Sequence, residues 1–211
     1  SVLKNRIYVI SQQPSESVSK FEKIDEQILE EFKKLYKLPH KYIFYPAMYL
    51  PHKNHKYIID SIKILKSDLK INLHAVFCGS DKGYLKKIKK YAHDQNQSEN
   101  IVFLDFVENK HLPYLYLNSL ALTMPTFSGP TNIPPWEAFK METPVLYSNI
   151  HNIKEVYKEA VYYIDPFDPH SMAIGIKEII NDEKLKNRLI DNGKNLLNSV
   201  NKAKEYEQLS E

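Results

Sequence analysis

The chain has 211 residues, enough for one large domain or two small ones with a substantial core. Hydrophobic residues are 43% and charged residues 26%, ordinary for a globular chain, and a single cysteine, Cys78, excludes a disulfide framework and a Cys-rich zinc site. Twenty-nine Lys and Arg against 26 Asp and Glu give a formal charge of +3, too little for a dedicated nucleic-acid surface.

Short β-branched or aromatic runs alternate with longer helical patterns along the chain. Strands are expected at Arg6–Ile10, Tyr42–Tyr45, Asn72–Cys78, Ile101–Phe103, Ala121–Met124, Pro144–Tyr147 and Val161–Ile164. Several are nearly continuous hydrophobic runs, as strands buried on both faces should be. Helices are expected at Ile24–Tyr36, His55–Leu65, Gly83–His93, Leu112–Asn118, Pro134–Lys140, Ser171–Asn181 and Asp182–Val200. Asp168 or Ser171 suits the cap of the first of the last two, and Asp182 the cap of the second. The Lys-rich stretch Lys82 to Lys90 has the spacing of one solvated helix face.

This alternation predicts an α/β domain, a doubly wound parallel sheet of Rossmann-like type with helices on both faces. Residues 1–20 read as a leading strand and linker, 21–200 as the Rossmann-like domain, and 201–211 as a polar helix end or tail. No apolar run approaches the ~20 residues of a membrane span, and Ser1 to Lys20 holds no secretory h-region. The expectation is a reduced, soluble, cytoplasmic protein. Five glycines are few for a nucleotide-binding domain of this type, and 15 tyrosines are many. A phosphate site here has to use helix ends and side chains more than a Gly-rich loop.

Ligands of such folds sit where the carboxyl ends of strands run into helix N-termini. Two loops stand out. In Tyr45 to His55 a strand end leads to a helix whose first N–H groups lack partners and carry partial positive charge. Lys53 adds a full cation just before it, with Asn54 as N-cap, and phosphate is the natural guest. His52 and His55 lack carboxylates or cysteines nearby to complete a metal set, so no metal is expected there. In Phe127 to Glu137, small and polar residues through Asn132 allow close approach of a ligand. Pro134 and Pro135 then begin a helix whose N–H groups would face the loop. Glu137, in the first turn, either complements the helix dipole or accepts two hydroxyls of a ribose.

The segment PTFSGPTNIPPWEAFKMETPVLYS, Pro125 to Ser148, resembles the signature of retaining glycosyltransferases of family 4, which have the GT-B fold. YPAMYLPHKN, LHAVFCGS, NIVFLDFVENKHLPYLYLNSLALTMPT and HNIKEVYKEAVYYIDPFDPHSMAIGIKEII follow the family's other motifs in order, so that the match covers nearly all of residues 40–200. The resemblance implies a single GT-B half-domain, the donor-binding one, that holds a nucleotide-sugar. The N-terminal acceptor-binding domain has no counterpart, so the chain reads as half of an enzyme. Any contact with the inner membrane face would come through that other half.

By the same resemblance Lys53 contacts the donor diphosphate and Glu137 holds the ribose. Asn132, Ile133 and Pro134 meet the phosphates and sugar, Phe106 and Val107 line the base pocket, and His52 borders the donor site. Two positions depart from the pattern. Met48 stands where the family has an arginine, and Gly129 where it has the first glutamate of its E-x7-E pair, which leaves Thr131 or Asn132 to serve the sugar. No cofactor beyond the donor substrate is implied. Two other readings compete. A nucleotide-cofactor oxidoreductase domain would need G-x-G-x-x-G after the first strand, and RIYVISQQPS has none. A silent binding module on the same fold would fit the losses at Met48 and Gly129.

Overall fold

The computed structural model describes residues 12–129 and 132–208, with side chains through 200. The strand expected at Arg6–Ile10 and the candidate Thr131 lie outside the described residues. Six strands form one sheet: β1 Tyr42–Pro46, β2 His74–Cys78, β3 Ile101–Leu104, β4 Ala121–Met124, β5 Val145–Ser148 and β6 Tyr162–Ile164. Their order is β3-β2-β1-β4-β5-β6, and every pairing is parallel. This is a doubly wound, Rossmann-like sheet.

The helices are α1 Glu16–Ser19, α2 Glu26–Tyr36, α3 His55–Ser67, α4 Leu85–Asp94, α5 Leu112–Leu117, α6 Pro134–Lys140, α7 Ile153–Tyr157, α8 Pro169–Asn181 and α9 Glu183–Gln208. α3 packs against α4 and α8, while α6 packs against α1, α5 and α9, giving the sheet its two helical covers. The central strands β4 and β5 are buried at every residue, which is why their sequences run hydrophobic without alternation. On α4 only Ile88 and Ala92 are buried, so the lysines between Lys82 and Lys90 do form a solvated face. Asp168 caps α8 by accepting from His170 N–H, and Asp182 accepts from Leu185 N–H at the start of α9.

Consecutive strands diverge at one place in this order. β1 pairs with β2 on one side and with β4 on the other, so the crossovers leave from opposite faces of the sheet. The carboxyl ends of β1 and β4 therefore flank a crevice. Residues 47–54, 125–129 and 132–133 are the described parts of the loops that border it.

Candidate functional site at the switch point of the sheet

The two loops are tied to each other by backbone and amide groups. Phe127 N–H donates to His52 O at 3.0 Å, and Thr126 Oγ1 lies 3.2 Å from the same carbonyl. His52 thus contributes its carbonyl to the site while its ring is exposed. Asn54 differs from the sequence expectation. It takes the left-handed conformation at φ 57 and makes no side-chain cap on α3. Its amide instead donates to Pro125 O at 3.1 Å and Pro166 O at 3.0 Å, joining the loops after β1, β4 and β6. A short polar side chain that tolerates positive φ suits this crossing point, and leaving the first turn of α3 without a side-chain cap leaves donors there for a ligand.

Lys53 closes a short helical turn, Pro51–Lys53, and its carbonyl accepts from Tyr45 Oη at 2.6 Å. Its Nζ donates to Asn132 Oδ1 at 3.2 Å, across the crevice. The ammonium is half-buried, and burial pulls its pKa below the ordinary lysine value. No carboxylate pairs with it among the described residues. Such a cation is predisposed to accept an anionic partner.

Asn132 is itself fixed. Its Nδ2 donates to Gly129 O and to Tyr147 Oη, and Tyr147 Oη donates to Gly129 O at 2.7 Å. Tyr157 Oη donates to the Asn132 carbonyl at 3.3 Å. Gly129 has φ +98, and an added Cβ would stand 3.1 Å from Asn132 Nδ2. A glutamate at this position would meet both obstacles, so the loop carries a glycine carbonyl where the family pattern has a carboxylate.

The N–H cradle expected on α6 is not formed. Pro134 and Pro135 have no N–H, and the Trp136 and Glu137 N–H groups both bond to Ile133 O, at 3.0 and 3.3 Å. Backbone donors on this side must precede the prolines, so Pro134 can offer a ligand only its ring. Ile133 is 44% exposed and presents an apolar side chain at the same edge.

Glu137 is 4% exposed in the first turn of α6, so whether it complements the helix dipole or holds a ligand it does so as a buried charge. Tyr116 Oη donates to its Oε2 at 2.5 Å, and Ser15 N–H to its Oε1 at 3.2 Å. Burying a carboxylate requires such charge-assisted partners. The segment before α1 thereby covers this acid.

The remaining candidates stand on the rim. Phe106 is 80% exposed and Val107 half-buried on the loop after β3, and Met48 is 43% exposed after β1. Phe127 and Phe167 form an exposed stacked pair, ring centroids 5.2 Å apart, where the loops after β4 and β6 meet. His55 does not join His52. It is 2% exposed among the rings of Tyr45, Tyr49 and Phe77. The tyrosines that fasten the site, Tyr45, Tyr116, Tyr147 and Tyr157, were not singled out in the sequence. Their only signal there was the count of 15.

The architecture and these residues can be set beside known proteins. The model of the family "Glycosyl transferases group 1" matches residues 27–196. The O-antigen chain mannosyltransferase RfbU of Salmonella typhimurium is 30% identical over 129 residues, covering 61% of this chain and 35% of that protein. The chain thus spans about a third of the length of that relative. The C-terminal domain of a glycosyl transferase group 1 family protein, LpcC, from Francisella tularensis superposes with a TM-score of 0.67 at 18% identity, covering 89% of this chain and 94% of that one. Anabaena Alr3699/HepE, solved in complex with UDP and glucose, superposes with a TM-score of 0.72 at 14% identity, covering 89% and 53%. The six-stranded parallel sheet is that of a GT-B half-domain, and with the family model matched from α2 into α9 the chain belongs to the glycosyl transferases group 1 family.

Proposed function

We propose that this chain is the donor-binding half of a retaining glycosyltransferase, which moves a sugar from a nucleoside diphosphate to an acceptor hydroxyl in polysaccharide or glycan assembly. The observation that carries this reading is the Lys53–Asn132 contact, which puts an unpaired ammonium in the crevice between the β1 and β4 loops. The relative RfbU is named a mannosyltransferase of O-antigen chains, and HepE was solved with UDP; both names favour this donor class.

In this reading the donor diphosphate lies between Lys53 and the uncapped first turn of α3. As the anomeric carbon–oxygen bond breaks, charge grows on the departing diphosphate. Lys53, already partly out of water, stabilises that charge more than it stabilises the ground state. Asn132 holds the ammonium in place, and Thr131 or Asn132 serves the sugar in the role that the family gives to the carboxylate replaced by Gly129. Glu137 receives the ribose hydroxyls on the lone pairs that Tyr116 and Ser15 leave free, or in place of Ser15 N–H. Phe106 and Val107 flank the base. No resident cofactor is needed for these steps. An acceptor domain beyond this chain positions the attacking hydroxyl and closes over the donor to exclude water. Among the described residues no helix is long and apolar enough to cross a membrane.

The test is calorimetric titration of the chain with UDP, GDP and ADP beside the corresponding nucleosides. One diphosphate should bind clearly better than its nucleoside, and Lys53→Ala should remove that difference.

A further inference from the structure

Away from the switch point, the turn Asn109–His111 brings three ligand-type side chains together against α2. Glu31 of α2, Glu108 and His111 offer ligand atoms that all lie within 4.8 Å of one another. Around an ion bound at ~2.1 Å, ligands stand at most about 4.2 Å apart, so small rotations of the two glutamates would suffice. Both glutamates are exposed, and the partner that holds each is the ammonium of Lys110.

Carboxylates on a surface are no site by themselves. His111 is the independent observation. It is completely buried, its Nε2 makes no hydrogen bond among the described residues, and that nitrogen lies 3.7 Å from Glu31 Oε1. A buried polar atom without a partner costs free energy, so it is kept only where something offsets the cost. The other ring nitrogen, Nδ1, sits 3.2 Å from Tyr36 Oη. With Nδ1–H donating to that hydroxyl, Nε2 keeps its lone pair on the side where Glu31 Oε1 lies, and an outer partner on the other ring nitrogen is the arrangement that orients metal-bound imidazoles.

We propose that Glu31, Glu108 and His111 Nε2 form a binding site for one divalent transition metal of the zinc type. One imidazole with two carboxylates favours zinc over magnesium, which prefers oxygen ligands alone. The structure also shows what competes for the site. Lys110 Nζ lies 2.8 Å from Glu31 Oε1 and 3.4 Å from Glu108 Oε2, so its ammonium is the cation now held by both acids. Metal entry releases Lys110 to solvent. The bound ion then clamps α2 to the turn that follows Phe106 and Val107, steadying the loop after β3. The role is structural and does not depend on the chemistry proposed above.

Titration of the whole chain with zinc chloride, and separately with magnesium chloride, followed by calorimetry and by melting temperature, tests this. The wild type should take up one zinc with a raised melting temperature and ignore magnesium. The double variant Glu31→Gln, Glu108→Gln leaves the buried His111 in place and should lose at least about tenfold in zinc affinity. Lys110→Met should gain about fivefold, since the ion pairs that the ammonium makes with both acids no longer have to be broken. Equal zinc affinity in the wild type and the double variant would assign the binding to other surface histidines and overturn the proposal. So would an absence of zinc uptake, equal uptake of magnesium, or no gain in Lys110→Met.

Discussion

Glu137 sits in the first turn of α6, but its energetics are those of a buried charge. Its two internal donors come from Tyr116 on α5 and from the Ser15 backbone before α1. Glu137→Gln keeps the size and one acceptor oxygen, while the amide nitrogen must face one of those donors. The expected loss of stability is about 1.5–3 kcal/mol, the range for hydrogen bonds to charged groups. Urea unfolding of both proteins measures it. If the acid also holds a ribose, affinity for a ribonucleotide falls by about 1–2 kcal/mol, while a 2′,3′-dideoxy analogue loses little. Equal losses for the two nucleotides would take the ribose away from Glu137. The residue type and its place in the helix were legible in the sequence. Its burial was not, because Ser15 is 122 positions away in the chain and nothing local marks the pairing.

At the scale of elements, α3 shows how a helix start is built around its aromatic neighbours. His55 opens the helix, buried against Tyr45 of β1 and Phe77 of β2, and burial pushes its pKa down to about 3. The unfolded chain binds that proton near pH 6.5, and the folded chain does not until about pH 3. Between those values the unfolded state carries the extra proton, so stability falls with falling pH by up to about 1.4 kcal/mol per unit from this group. Above pH 6.5 the imidazole is neutral in both states and the dependence vanishes. Unfolding curves at pH 7, 5.5 and 4.5 should therefore show a steeper acid loss in wild type than in His55→Leu. Parallel curves would mean that His55 titrates normally.

The end of β2 is built on a close approach of two backbones. An added Cβ at Gly79 would stand 2.2 Å from Ala47 O, a clash with main chain that cannot rotate away. Gly79→Ala should cost about 1–3 kcal/mol, as overpacking does, and should push apart the loops that hold Met48 and Lys53. A melting temperature equal to wild type would show that the loop after β1 yields easily.

For the molecule as a whole, the alternation of hydrophobic runs with helical patterns led to the right class of sheet, because buried parallel strands have few polar residues to confuse the reading. The described strands and the longer helices fall close to the expected ranges. α7 was not foreseen. Ile153–Tyr157 is only five residues long and starts from Asn152 in the left-handed conformation, with too few turns to show a period. Asn54 does stand at the N-cap position of α3, but the side-chain cap expected of it is not made, for a related reason. Its amide partners, Pro125 and Pro166, belong to loops brought beside it only by the crossovers. The scarcity of glycine was a sound hint. Tyrosine hydroxyls from β1, β5 and α7 pin the loops that a Gly-rich turn would otherwise shape.

The central claim is that the crevice between β1 and β4 is a diphosphate site read by Lys53. Its ammonium sits partly out of water without a carboxylate, so its removal should leave stability within about 0.5 kcal/mol. The same change should lower diphosphate affinity by about 1.5–3 kcal/mol. The decisive measurement is calorimetric binding of wild type and Lys53→Ala to the preferred diphosphate and to its nucleoside, with an unfolding curve for each protein. The account requires a loss of roughly 10- to 150-fold for the diphosphate, little change for the nucleoside, and unaltered folding. Equal losses for both ligands, or no binding of any diphosphate by the wild type, would contradict it.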